Sequence, residues 1–136
     1  MITAIDANIL LDIVNEDERF TPGSIAALLQ ARRAGVAVIC DIVYAEICAA
    51  FNSREQCDRF LARLQIKAEG LDGLSSFIAS RSWVGYLKSG GKRLRILPDF
   101  LIAAHASNQA DRLLTRDRGF FRTCFPKLEV VDPSKT

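Results

Sequence analysis

The chain lacks an apolar run of membrane-spanning length, because charge interrupts each hydrophobic stretch well before about 18 residues. No transmembrane helix is expected. No basic stretch precedes Asp6, and Asp12 breaks the apolar sequence that follows, so no signal peptide is expected either. Histidine is nearly absent. The single His105 leaves no Ser–His or Cys–His couple standing out for nucleophilic catalysis. The four cysteines (Cys40, Cys48, Cys57 and Cys124) fall into neither a CxxC pair nor a familiar zinc spacing. Cys48 and Cys57 stand among apolar helical residues, where a free thiol behaves as a small hydrophobe. These absences together point to a cytoplasmic protein with reduced cysteines. Net charge is scarce too: 18 Lys and Arg against 16 Asp and Glu leave +2, too little to announce a nucleic-acid partner. Internal repeats, low-complexity tracts and interdomain linkers are all missing.

What is present suits one globular domain over residues 1–136, with 49% apolar and 25% charged residues. Size scaling predicts roughly 7,000 Å² exposed when folded against roughly 22,000 Å² unfolded, so a core forms without disulfide or metal staples. The charge is unevenly spread: residues 1–68 carry 7 basic and 9 acidic side chains, and residues 69–136 carry 11 and 7.

Short apolar runs alternate with helical periodicity. Met1 to Ile5 reads as a strand ending at Asp6, and Val36 to Cys40 as a strand buried in a parallel sheet. Thr21-Pro22 predicts a helix start, with Ile25, Leu28 and Leu29 as the apolar face and Gly35 as the end. Asp41 reads as the cap of a helix to about Ala50. Ser53 and Gln56 form a capping box before Cys57, Phe60, Leu61 and Leu64. A weak strand at Gln65 to Ala68 precedes an amphipathic helix carrying Leu74, Phe77, Ile78, Val84 and Leu87. Lys88 to Arg95 reads as a flexible basic loop, and Pro98 opens a helix to about Gln109. Leu113-Leu114 and Leu128 to Val131 complete the strands. The alternation predicts an α/β fold, a three-layer α/β/α sandwich with a mainly parallel central sheet.

Ligands of such sheets bind beyond the carboxyl ends of the strands. Asp6 and Asn8 follow the first strand, and Asp41 and Glu46 the second. Thr115 and Asp117 follow the fourth, and Asp99 lies in the first turn of the helix that Pro98 opens. Carboxylates gathered on one rim repel each other, and a divalent cation removes the conflict. Oxygen-only ligands suit Mg²⁺ or Mn²⁺, which can activate water and stabilise charge on a phosphodiester.

Four segments in this order and spacing carry a family resemblance: Ile5-Asp6-Ala7-Asn8, Tyr44-Ala45-Glu46-Ile47, Leu97-Pro98-Asp99-Phe100-Leu101-Ile102 and Thr115-Arg116-Asp117-Arg118-Gly119-Phe120. The chain resembles the PIN domain, and within it the VapC toxins of prokaryotic toxin–antitoxin pairs. The resemblance implies a Mg²⁺- or Mn²⁺-dependent endoribonuclease, a cytoplasmic VapB-like antitoxin that blocks the site, and a homodimer. It implies that Asp6, Glu46, Asp99 and Asp117 are the metal-binding catalytic quartet, with Asn8 and Thr115 orienting carboxylates or waters. It further suggests an antitoxin groove around Leu28 and Phe60. One departure stands out: many relatives carry a further acid two positions after the fourth, where this chain has Gly119.

The residues alone leave other roles open. Asp6 suits a helix N-cap, Asp99 suits a helix start, and Asp117 suits an ion pair with Arg116 or Arg118. Glu46 lies in a stretch too apolar for an exposed face, so a buried Glu46 in need of a partner is expected. His105 lies about 240° around its helix from Asp99 and so faces away from it, as a structural or surface residue. Trp83 and Phe77 read as packing or interface residues. Lys88 belongs to a basic stretch in which Lys92, Arg93 and Arg95, together with Arg116 and Arg118, are candidates for RNA phosphate contacts. A phosphohydrolase with Asp6 as nucleophile and a non-catalytic RNA- or protein-binding module are the alternatives. The first lacks an obvious lysine beside an apolar strand. With the acidic quartet set aside, 12 acidic side chains face 18 basic ones. Near-neutrality therefore conceals an acidic pocket on a basic body.

Overall fold

A computed structural model of the chain describes residues 1–90 and 97–133. They form β1 (Ile2–Ile5), α1 (Ala7–Val14), α2 (Thr21–Ala34), β2 (Val36–Cys40), α3 (Asp41–Cys48) and α4 (Arg54–Arg63). The chain continues through β3 (Ile66–Glu69), α5 (Gly73–Lys88), α6 (Leu97–Gln109), β4 (Arg112–Leu114), α7 (Arg118–Cys124) and β5 (Val130–Val131). The strands build one sheet in the order β3-β2-β1-β4-β5, and every pairing is parallel. The architecture is the expected α/β/α sandwich.

The central strands are mostly apolar because both faces of the sheet are covered. Ala4, Ile5, Ala37, Val38, Ile39, Cys40, Leu113 and Leu114 are all at most 3% exposed. Each fully buried Ile or Leu contributes about 2 kcal/mol of transfer free energy. Gly35 is fixed by a close approach: a Cβ there would overlap the Met1 carbonyl. Its absence lets the Val36 N–H donate to Met1 O at 2.9 Å and sets the β1–β2 register. Among the described residues no helix is long and apolar enough to cross a membrane. All four cysteines are free thiols, with Cys40 and Cys57 buried and Cys48 and Cys124 half-buried.

Several local expectations are corrected. Phe20 occupies the cap position of α2, and Thr21 is its first residue, with its hydroxyl donating to Asp12 O at 2.7 Å. Of the expected α2 face only Leu28 is inside, at 2% exposure, while Ile25 and Leu29 are 39% and 43% exposed. The inward face is instead Ser24, Ala27, Leu28 and Ala31, three small residues around one leucine. In α5 the buried positions are likewise Ser75 and Ala79, leaving Leu74 and Phe77 outside. Asp41 lies within the first turn of α3, and Cys40 takes the cap position. The Ser53 hydroxyl accepts from Gln56 N–H at 3.2 Å as a cap should, but Gln56 Oε1 accepts from Asn52 N–H rather than from Ser53. The last strand is only Val130–Val131, and α7 was not anticipated. Of the basic stretch, Lys88 ends α5; Lys92, Arg93 and Arg95 lie outside the described residues.

Candidate functional site

From β1 the chain moves outward through β2 and β3, then returns to β4 and β5 on the other side. The crevice beyond the ends of β1 and β4 is therefore the switch point of the sheet. Asp6 and Thr115 are the first residues past those two strands. The backbone ties them together, with Asp6 N–H donating to Leu114 O at 2.9 Å.

Asp6 is 8% exposed. Its Oδ1 accepts from Ala7 N–H at 2.7 Å, so it is the N-cap of α1. Its Oδ2 accepts from the Thr115 hydroxyl at 2.7 Å and from Asn8 Nδ2 at 3.4 Å. Thr115, itself fully buried, accepts from Asn8 Nδ2 at 3.2 Å and from Asp117 N–H at 3.0 Å. Asn8 Oδ1 accepts from Arg116 N–H at 3.2 Å. Asn8 and Thr115 thus connect the start of α1 to the loop that carries Asp117. The helix cap and the rim carboxylate are one residue.

Two of the remaining acids, Asp99 and Asp117, arrive on helix starts anchored by aromatic packing. Asp99 is half-buried in the first turn of α6, beside the wholly buried Phe100. The Phe100 ring meets Phe120 edge-on at 5.3 Å and Tyr86 at 5.5 Å. Asp117 is half-buried at the cap position of α7, whose Phe120 and Phe121 are buried. Glu46 departs from expectation: it is exposed. Only Val43 and Ile47 of α3 turn inward, and Glu46 is displaced from Ile47 by about 100° around the helix.

Electrostatically the four acids are coupled. Burial raises the Asp6 carboxyl above its ordinary value, opposed by the Thr115 and Ala7 hydrogen bonds, and the charges of Asp117 and Asp99 raise it further. Glu46 is raised by loss of hydration, then by the charges of Asp6 and Asp99. Among the described residues no three acidic, His or Cys side chains converge closely enough to enclose an ion as they stand. Mg²⁺ does not require that, since it keeps several waters and is held through one or two carboxylates plus substrate phosphate. The all-oxygen donor set fits such a cation.

Arg116 does not present its charge at the rim. Its Nη2 and Nε donate to Asp12 Oδ1 and Oδ2 at 2.7 and 2.8 Å, and its guanidinium lies 3.9 Å over the Phe20 ring. Asp12, 5% exposed, was missed as a site residue. Its signal in the sequence is an acid between Leu11 and Ile13 in a mostly apolar helix. Arg118 is half-buried at the start of α7. Gly119 is exposed and a Cβ there meets nothing within 4 Å, so no steric demand explains the missing fifth acid. His105 is buried with Nε2 2.8 Å from Glu69 Oε1, a structural position apart from the acids. A cleft of about 300 Å³ lined by Asp41, Tyr44, Arg54, Asp58, Ala68, Glu69 and Gly70 takes in none of the quartet. Leu28 is buried and cannot line a groove; Phe60 does line one, of about 460 Å³, with Phe51, Gln56, Arg59 and Arg63.

No curated protein matches the sequence. Among solved structures the chain is similar to one in VapBC2 from Rickettsia felis bound to a promoter DNA fragment. That match has a TM-score of 0.74 and 21% identity over 97% of this chain and 98% of the other. It is similar to a chain of VapBC-1 from nontypeable Haemophilus influenzae, with a TM-score of 0.70 and 20% identity over 98% and 99%. It also resembles a chain of FitAcB from Neisseria gonorrhoeae, with a TM-score of 0.69 and 19% identity over the full length of both. At these identities the likeness concerns the fold. The family model described as PIN domain matches residues 3–126, a span that includes all four rim acids, and the chain belongs to the PIN-domain family.

Proposed function

We propose that the chain is a divalent-metal-dependent endoribonuclease, the toxin of a VapBC-type pair. The observation that carries the chemistry is Asp6, buried at the sheet's switch point and repelled by Asp99 and Asp117. A buried carboxylate among like charges is costly unless a cation offsets them. Asp6, Glu46, Asp99 and Asp117 would hold Mg²⁺ or Mn²⁺. When bound, the cation supplies an acidified water and positive charge against the phosphodiester. Thr115 and Ala7 hold the Asp6 carboxylate in one orientation, and Asn8 fixes Thr115 in turn. Glu46, exposed on α3, keeps the rim open to RNA. Arg118, with Lys92, Arg93 and Arg95, makes phosphate contacts along the approach.

The VapB-like antitoxin reading is supported by the fold shared with chains of VapBC complexes. The Phe51–Phe60 cleft, rimmed by Arg59 and Arg63, offers it an apolar and basic surface. Exposed Leu74 and Phe77 on α5 suit a homodimer contact. The setting is cytoplasmic.

Purified Asp6→Asn and Asp99→Asn proteins test the chemistry. Mg²⁺-dependent RNA cleavage is expected to fall by more than the roughly 10–100-fold that loss of an outer partner costs, with circular dichroism unchanged. Full activity in both variants contradicts the reading. Trapping of a phospho-aspartate at Asp6 would replace it with the phosphohydrolase.

A further inference from the structure

We infer that Asp12 and Arg116 are positioning residues of the acidic rim, a role that rests on the metal-site reading and extends it. Arg116 lies between Thr115 and Asp117, the two residues by which the β4–α7 loop meets Asp6. Its side chain reaches away from the rim into α1, where it meets Asp12 through two parallel hydrogen bonds at 2.7 and 2.8 Å. Such a fork fixes orientation as well as distance. The far side of the clamp is equally built. Asp12 Oδ2 also accepts from the Ser24 hydroxyl at 2.9 Å, and Phe20 lies under the guanidinium at 3.9 Å. Asp12 of α1 and Phe20 of the turn before α2 therefore grip the Arg116 side chain, and Ser24 of α2 steadies Asp12 in turn.

The backbone of the same residue completes the link. Arg116 N–H donates to Asn8 Oδ1, one helical turn before Asp12 on α1. Asn8 then donates to Thr115 Oγ1, which receives Asp117 N–H and donates to Asp6 Oδ2. One face of α1 thus carries Asn8 and Asp12 at i and i+4, and both hold Arg116. With the side chain anchored, Thr115 and Asp117 are registered against Asp6. Without it, Thr115 keeps its bonds to Asp6, Asn8 and Val131, but the loop loses the one side-chain fork that orients Arg116 between Thr115 and Asp117. The clamp spans 104 residues of sequence, so nothing in local pattern pairs its two ends. Arg116 touches neither substrate nor cation in this account.

Removing one partner alone orphans a buried charge and risks unfolding. The test therefore uses the doubly neutral Asp12→Asn/Arg116→Gln protein beside the native one. Two quantities are read: amide exchange in the metal-free proteins, and Mg²⁺ affinity by calorimetry. The double variant is expected to melt cooperatively and keep the exchange protection of β1 and β2. Its Asp117 amide is expected to exchange at least tenfold faster, and its Mg²⁺ dissociation constant to rise roughly 10–100-fold. Arg116→Lys, which keeps charge but loses the fork, should fall between the two. A folded double variant with native Asp117 exchange, or with Mg²⁺ affinity within twofold of native, overturns the clamp. A native protein that takes up no Mg²⁺ overturns the metal reading beneath it. If the double variant does not fold, Arg116→Lys with native exchange and affinity overturns the clamp, and intermediate values sustain it.

Discussion

Asp6 serves two masters, capping α1 through Oδ1 and facing other acids across the crevice. Its carboxyl is raised from an ordinary 3.8, chiefly by burial, so the unfolded chain gives up this proton at lower pH than the folded one. The stability tied to the protonated form is then fully present below pH 3.8 and lost as pH rises through the raised folded value. Glu46 acts in the same direction. In metal-free protein, Asp6→Asn is therefore expected to melt above native at pH 7. The gap should close on acidification towards pH 3.8, as followed by thermal denaturation across pH. A variant less stable than native at pH 7 contradicts the assigned sign. The candidate acids were legible in the sequence because Asp6 stands directly after an apolar strand and Asp99 just after the proline that opens a helix. Glu46's exposure was not: Ile42, Tyr44, Ile47 and Cys48 surround it in sequence, and only packing decides which face turns inward. Arg116 was misplaced for a different reason. Its partner Asp12 is distant in sequence, and charge beside a rim acid resembles a substrate contact until the geometry is known.

At the scale of elements, the strands were legible and the helix faces less so. The continuous apolar run Val36–Cys40 and the short, mostly apolar Ile2–Ile5 read as strands, and both formed there. In α2 the buried residues are Ser24, Ala27, Leu28 and Ala31 and in α5 Ser75 and Ala79, while Ile25, Leu29, Leu74 and Phe77 point outward. Hydrophobicity alone ranks these faces in the wrong order, because close packing rewards small volume. The α7 helix escaped notice as a single short element held by Phe120 and Phe121. The α1–α2 turn contains a removable strain: Glu16 is exposed with φ of 52°, a left-handed conformation unfavourable for a residue with a Cβ. Glu16→Gly is expected to stabilise the chain by about 1 kcal/mol, read as a higher urea midpoint at constant slope. A lower midpoint would show that the turn is held by contacts of the Glu16 side chain.

For the whole molecule, the arithmetic of charge and the topology converge. Asp6 stands at the switch point of one parallel sheet with the charges of Asp117 and Asp99 acting on it, and with the four candidate acids set aside 18 basic side chains face 12 acidic ones. A polyanion drawn to such a body should bind with marked salt dependence. Neutralising Lys92, Arg93 and Arg95 together is expected to reduce the slope of log affinity for single-stranded RNA against log salt by about 2. An unchanged slope removes that stretch from the RNA path.

The most direct test is a calorimetric titration of Mg²⁺ into native and Asp99→Asn proteins at pH 7. A saturable site whose affinity drops at least tenfold in the variant is the result expected of carboxylates acting together. Absence of binding to the native chain, or equal affinity in both proteins, contradicts a metal centre at the rim.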